Sequence, residues 1–218
     1  MNFIFDKNNT FCISLYSNPT RWEKMENRFK QLNLDVTRFK AVSQLDELNV
    51  QFVSYLTPVQ KFCTQSHINL WKHIIENNIP YAFILEDDAC FDIKWKDKLD
   101  EFSKHINDPE LDAIFLNASE PLDKTHVWTM ADEQYLCGGY ILTYKGAKML
   151  LETFSNCFYM SDWMTSRLQQ NRHSYTYFPW LIIQQGIETT IGSNINEDHK
   201  KVLRCLNDIS YSLSNYII

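Results

Sequence analysis

The 218 residues carry 21 Lys and Arg against 27 Asp and Glu, a formal charge of −6, with 44% hydrophobic and 22% charged residues. This length suits one domain, and the mix excludes a multidomain machine, a disordered chain and a globally basic binder of nucleic acid or anionic membrane. An anionic ligand must therefore be held by local groups. Cys12, Cys63, Cys90, Cys137, Cys157 and Cys205 show no C-x-x-C pair and no metal-ligand spacing, so reduced, mostly buried thiols are expected. No apolar run approaches the roughly 18 residues of a membrane span. Asp6 and Lys7 interrupt a very short apolar stretch near Met1, and a cytoplasmic protein is expected.

In chain order, Phe11 to Leu15 reads as a strand. Asn18-Pro19 caps an amphipathic helix carrying Trp22, Met25, Phe29 and Leu32. Val36 to Val42 reads as a second strand. Thr57-Pro58-Val59-Gln60 is a capping box that opens a helix with apolar pairs at Phe62/Cys63, Leu70/Trp71 and Ile74/Ile75. Tyr81 to Leu85 is a continuous apolar run of the kind that a strand buried on both faces shows, and it stops at Glu86-Asp87-Asp88. A helix with Leu99, Phe102 and Ile106 follows, then a strand at Asp112 to Leu116 ending in Asn117. Gly138-Gly139 opens a run at Tyr140 to Leu142, before a helix at Lys145 to Phe154, a short helix at Trp163 to Leu168, and strands at Ser174 to Phe178 and Leu181 to Ile183. Alternating βα units predict an α/β fold with a mostly parallel sheet and helices on both faces, whose ligands sit at the carboxyl ends of the strands.

If the backbone stays extended through the acids, Glu86 and Asp88 share one side and Asp87 faces the other. Two converging carboxylates suit Mg²⁺ or Mn²⁺ with a substrate phosphate, and a solvated acidic turn is the alternative. His67 falls on the apolar stripe of its helix, where a hydrogen-bonded core histidine is the usual outcome. Gly138-Gly139 marks either a positive-φ turn or a close approach to the backbone. Asp162 is placed to cap the short helix or to act as a general base. Arg21 is a phosphate fork or a surface arginine. Trp180, Tyr140 and Trp163 are core aromatics or sugar-stacking platforms. Gln184-Gln185 lines a polar site or ends a strand.

Taken together, ISLYSNPTR with Arg21, Cys63-x-x-Ser66-His67, Phe83 to Asp88, Gly139-Tyr140-Ile141-Leu142, Gly146-Ala147 and Met160-Ser161-Asp162 resemble glycosyltransferase family 25, the lipopolysaccharide and lipooligosaccharide biosynthesis glycosyltransferases. The likeness spans roughly residues 11 to 165. Phe62 stands where the family often has Gly, and Glu86 where the acidic motif often has Asp. The resemblance implies a GT-A-type, Rossmann-like nucleotide-sugar-binding fold in a single domain over 1–218, with a catalytic core at about 11–195 and a tail at about 196–218. It implies an inverting, Mn²⁺- or Mg²⁺-dependent hexosyltransferase, with UDP-galactose as the preferred donor and a lipid-linked core oligosaccharide as acceptor.

In the same terms Ser14, Arg21, Ser66, His67, Glu86, Asp87 and Asn117 are implied to bind the donor, and Gly138, Gly139 and Tyr140 the acceptor. Asp88 with Glu86 would hold the metal, and Asp162 would be the base. His173 and His199 are candidates for a third ligand. Lys200, Lys201, Arg204 and the Ile217-Ile218 end are available for peripheral contact with the inner face of a membrane. The rival readings are a non-catalytic saccharide-binding relative and a metal-dependent phosphohydrolase. The haloacid dehalogenase pattern wants Thr or Val after Asp-x-Asp, whereas Ala89 and Cys90 follow Asp88 here.

Overall fold

Phe11 and Ile13 of strand β1 (Thr10–Ser14) point to one side of a sheet and Cys12 to the other, and both sides are buried. Such a strand needs a cover on each face, and the rest of the chain supplies two. The computed structural model describes residues 2–185 and 195–218. After β1 come α1 (Pro19–Leu32), β2 (Thr37–Lys40), α2 (Pro58–Glu76), β3 (Tyr81–Glu86), β4 (Ala89–Asp92), α3 (Trp95–His105), β5 (Ala113–Phe115), β6 (Val127–Met130), β7 (Gly139–Thr143) and α4 (Tyr144–Thr153). Helix α5 (Ser161–Ser166), β8 (Ser174–Phe178), β9 (Ile182–Gln184), α6 (Ile195–Asp208) and β10 (Tyr216–Ile217) complete the order.

The main sheet has seven strands in the order β2-β1-β3-β7-β5-β8-β6. Strands β2, β1, β3, β5 and β8 run one way, while β7 and β6 are antiparallel to their neighbours. The expected α/β class and mostly parallel sheet are therefore observed. Strand β7 departs from the simple alternation by inserting backwards between β3 and β5. One face is covered by α2 and α4 through Ile68, Trp71, Ala147 and Leu150, the other by α1 and α3 through Met25, Phe29, Leu99 and Phe102. Each Ile, Leu, Met or Phe among them, once buried, contributes about 1.5–3 kcal/mol.

The helix starts follow their caps. Asn18 Oδ1 accepts from the Arg21 backbone N–H at 3.2 Å, and Thr57 and Gln60 form the reciprocal capping box. Both helices have Pro at the first turn, where no donor is lost.

A second, three-stranded antiparallel sheet, β10-β4-β9, stands beside the first. The chain passes from one to the other at Asp87-Asp88, which form a turn rather than an extended segment. Val202, Leu206 and Tyr216 pack with Cys90, Phe178, Trp180 and Ile183, so the described part of the expected tail shares a core with the sheets. The expected boundary near residue 195 adjoins residues 186–194, which lie outside the described residues. All six cysteines are unpaired. Among the described residues no helix is long and apolar enough to cross a membrane.

Candidate active site

Strands β1, β2 and β3 are parallel and in register, so they end side by side at Ser14, Lys40 and Glu86. The loops leaving those carboxyl ends, with the start of α2, enclose a cavity of about 790 Å³. Leu15, Leu45, Val59 and Phe62 give it an apolar part, and Glu86, Asp87, Asp88, Arg21 and Gln184 line its acidic end. Asp46 fixes the loop after β2 by accepting from the Ser43 N–H at 2.8 Å, the Ser43 hydroxyl at 2.7 Å and Lys40 Nζ at 2.7 Å. These bonds, the one from Lys40 foremost, hold the Asp46 carboxyl far below its usual range.

Of the residues expected to bind a donor, Ser14, Arg21, Ser66, His67, Glu86 and Asp87 all line this cavity. Arg21 Nη2 lies 2.6 Å from Asp87 Oδ1 and 3.4 Å from Asp88 Oδ2. Burial still pushes Asp87 up, against the pull of Arg21 and of the Ser14 hydroxyl that donates to it. Asp88 is pushed up to about 6, first by burial and then by the negative charge of Glu86. Arg21 pairs with Asp87 and Asp88 but not Glu86, and the three acids gathered at this end of the cavity suit a divalent cation bridging to a phosphate. The turn sends Asp87 to Arg21 while Glu86 Oε2 and Asp88 Oδ1 both accept from Gln184 Nε2, at 2.9 and 3.2 Å. The side chains thus divide as an extended backbone would have divided them, for a different reason.

His67 is fully buried, and the hydrogen bonds around it fit one arrangement of donors and acceptors. Trp71 Nε1–H donates to the Tyr140 hydroxyl at 2.9 Å, which leaves the Tyr140 O–H to donate to His67 Nδ1 at 2.9 Å. Nε2–H then donates to Glu86 Oε1 at 3.1 Å. This assignment of the neutral tautomer satisfies every donor in the chain. His67 is thereby a packed core imidazole that also orients Glu86. Ser66 is spent structurally, its hydroxyl donating to the Phe62 carbonyl and accepting from the Val42 N–H, both at 2.8 Å, which pins the loop after β2 to α2. Cys63, four residues before His67, brings its sulfur within 4.8 Å of the His67 and Glu86 ligand atoms. Burial, then Glu86, pushes the Cys63 thiol well up, so it stays protonated beside this pair.

Other expectations are corrected. Tyr140 is buried, with its hydroxyl engaged by Trp71 and His67, and is not among the cavity-lining residues. Gly138 and Gly139 are also buried away from the cavity. What approaches them is protein: an added Cβ would meet Gln184 Cγ and Asn117 Oδ1 at 2.6 Å, and Ile182 Cδ1 at 2.4 Å. Asn117 does not reach the cavity either. Its Oδ1 accepts from the Gly138 N–H at 3.0 Å and its Nδ2 donates to the Ile182 carbonyl at 3.3 Å. Trp180 is fully buried core, and Trp163 packs on Tyr159 with Arg167 4.1 Å over its ring. His173 pairs with Asp108 at 3.0 Å just before β8 begins, at the end of the sheet away from the acids.

Asp162 lies inside the first turn of α5, where Met160 takes the cap position. Its segment is tied to α2 by the Ser161 N–H donating to Thr64 Oγ1 at 3.2 Å. The carboxylate accepts from the Trp163 N–H at 2.7 Å and from the Leu136 N–H. Burial raises its pKa, helped by the negative charge of Glu86 and opposed by the N–H groups of Trp163 and Leu136. It is a carboxylate made more basic than usual, outside the lining of the cavity. Sequence reasoning missed Arg28, buried in α1, which donates to the Ala89 carbonyl at 3.0 Å and to Gln185 Oε1 at 2.8 Å and so braces the acidic turn from behind.

The family model described as glycosyltransferase family 25, LPS biosynthesis protein, matches residues 7–127. That stretch contains Arg21, His67 and the three acids and stops before Asp162 and Gln184. Procollagen galactosyltransferase 1-A of Xenopus laevis is 28% identical over 167 residues, covering 65% of this chain and 27% of that protein. A putative glycosyltransferase of Haemophilus influenzae is 30% identical over 162 residues, covering 67% of this chain and 57% of that protein. The chain thus matches about a quarter of the length of the first relative and just over half of the second. A solved structure of a glycosyltransferase involved in the glycosylation of the major capsid of PBCV-1 aligns over 89% of this chain and 98% of that one, at 10% identity and a TM-score of 0.43.

Proposed function

The chain belongs to glycosyltransferase family 25, and on that premise we propose that it transfers a hexose from a nucleotide sugar to a saccharide hydroxyl with inversion. The observation that carries the reading is the meeting of Glu86, Asp87, Asp88 and Arg21 at one end of a cavity at the strand ends, large enough for a nucleotide sugar. Glu86 and Asp88 are hard oxygen donors converging on one point, so they fit Mn²⁺ or Mg²⁺. When bound, such a cation supplies charge neutralisation to the departing nucleoside diphosphate.

The chain's own residues do the rest. Arg21 holds Asp87 and is placed to meet a donor phosphate. His67 fixes Glu86 through Nε2–H, in position for a donor ribose. Asp162 takes the proton of the acceptor hydroxyl as that oxygen bonds to the anomeric carbon and the carbon–oxygen bond to the diphosphate breaks. A base of raised pKa suits this task, and general-base action typically supplies about 10²- to 10⁴-fold.

Galactose from UDP-galactose is the proposed donor, in keeping with the galactosyltransferase names among the relatives. A lipid-linked lipooligosaccharide or lipopolysaccharide core is the proposed acceptor, met at the cytoplasmic face of a membrane. The test is thermal melting with Mn²⁺ and UDP-galactose, UDP-glucose or UDP-N-acetylglucosamine, each with and without chelator. A donor at 100 times its dissociation constant adds about 2.7 kcal/mol, a shift of roughly 5–10 °C. A shift that needs the metal and singles out UDP-galactose is expected. No shift with any donor, in a folded sample, overturns the transferase reading.

A further inference from the structure

Gln184, the last residue of β9, is held in a way that packing alone does not require. Its Nε2 donates to Glu86 Oε2 and Asp88 Oδ1 together, bringing two mutually repelling oxygens within reach of one point. Its route there is built into the neighbouring strand: a Cβ on residue 138 would stand 2.6 Å from Gln184 Cγ and 2.8 Å from Cδ. The side chain reaches the acids because Gly138 leaves that space. Asn117 holds Gly138 on one side and the Ile182 carbonyl on the other.

The backbone is fixed as firmly. The Gln185 N–H donates to the Asp88 carbonyl at 2.9 Å, Arg28 grips the Gln185 side chain, and the His199 ring donates to the Gln184 carbonyl. His173 is at the far end of the sheet from the acids, and His199 spends one ring N–H on the Gln184 carbonyl rather than on the acids.

A carboxamide carries a donor nitrogen and an acceptor oxygen on one planar group, and a half turn about its last bond exchanges them. Hard cations bind amide carbonyl oxygens as well as carboxylates, although only the carboxylate supplies a full negative charge. We propose that Gln184 is the third protein ligand of the cation site. Without a cation its Nε2 hydrogens hold Glu86 and Asp88 on one point; with a divalent cation on those carboxylates its Oε1 takes the place of the nitrogen. The proposal rests on the reading of Glu86 and Asp88 as cation ligands.

The experiment titrates Mn²⁺ into the full chain with UDP present, following free Mn²⁺ by its paramagnetic resonance signal. Gln184→Leu is expected to weaken binding about 10- to 100-fold. Gln184→Glu, which keeps an oxygen there, is expected to bind at least as tightly as wild type. Asp88→Asn is expected to lose the ion. If Asp88→Asn loses Mn²⁺ but Gln184→Leu binds as well as wild type or better, Gln184 is not a ligand and the cation reading stands. If wild type takes up no Mn²⁺, or Asp88→Asn takes it up unchanged, both fall. Should Gln184→Leu fail to fold, Gln184→Glu carries the test, and weakened binding by that variant overturns the proposal.

Discussion

The two ends of β4 carry buried acids that the protein treats in opposite ways. At its far end Asp92 is fully buried and fully answered: Lys98 Nζ lies 2.9 Å from Oδ2, the Lys94 N–H donates to Oδ1 at 2.8 Å, and the Tyr211 hydroxyl donates to Oδ2. Lys98 in turn sits 5.3 Å from the ring centres of both Tyr177 and Tyr211. At the near end Asp87 and Asp88 share Arg21, Glu86 is met by His67, and Asp88 is left with a pKa pushed up to about 6. A structural acid is closed off by its own cation, whereas a working acid is left short of one. Residual negative charge beside a cavity is thus a sign of a ligand's place, and the sealed pair is a sign of architecture.

The contrast breaks most visibly if the two acids are removed in turn. Asp88→Ala is expected to reduce sugar transfer to background while the melting temperature stays level or rises, since a repulsion has gone; product formation and thermal melting check both. Asp162→Asn should keep donor binding and lower kcat by about 10²- to 10⁴-fold. Wild-type turnover in that variant would remove the base assignment. Asp92→Ala should do the reverse of Asp88→Ala, leaving Lys98 buried and unpaired at a cost of about 3–5 kcal/mol, or roughly 6–20 °C of melting temperature, with KM unchanged.

A pH titration sharpens the same contrast with a smaller effect. The folded pKa of Asp88 lies above its unfolded value, so the native state holds the extra proton and stability falls as pH rises from about 4 to about 6. Chelator-treated wild type should therefore be less stable at pH 7 than at pH 5, by about 1 kcal/mol, and Asp88→Asn should flatten that slope. A slope that survives in Asp88→Asn assigns it to other groups. Smallest of all, Tyr140→Phe deprives Trp71 and His67 of one hydroxyl and should cost about 1 kcal/mol, with KM for the donor rising as Glu86 loses its fixed partner.

Much of the frame was legible because it is written locally. The Asn18-Pro19 and Thr57–Gln60 caps start α1 and α2 where expected, and the Tyr81–Leu85 run is the strand that delivers the acids. Gathering Arg21 with the acids needed only the rule that parallel strands present their carboxyl ends together. The rest depends on partners far away in the chain. Strand β4 is short and takes its identity from β9 and β10, and β7 reverses direction because of its neighbours on both sides. Tyr140 stayed open between core and sugar platform because the type of a lone aromatic fits either; only the positions of Trp71 and His67 make it a core relay. Gly138 likewise signals a close approach, but the sequence does not say that the visitor is Gln184.

The distance along the chain between the acidic turn and its braces has a consequence for synthesis. Glu86 waits 98 residues for Gln184, and Asp92 waits 119 for Tyr211. At ribosomal speeds of about 5–20 residues per second, Arg21 and His67 are already made when the turn appears, but Gln184 follows it only some 5 to 20 s later. The electrostatic character of the site is therefore acquired late, when the second sheet closes around β4.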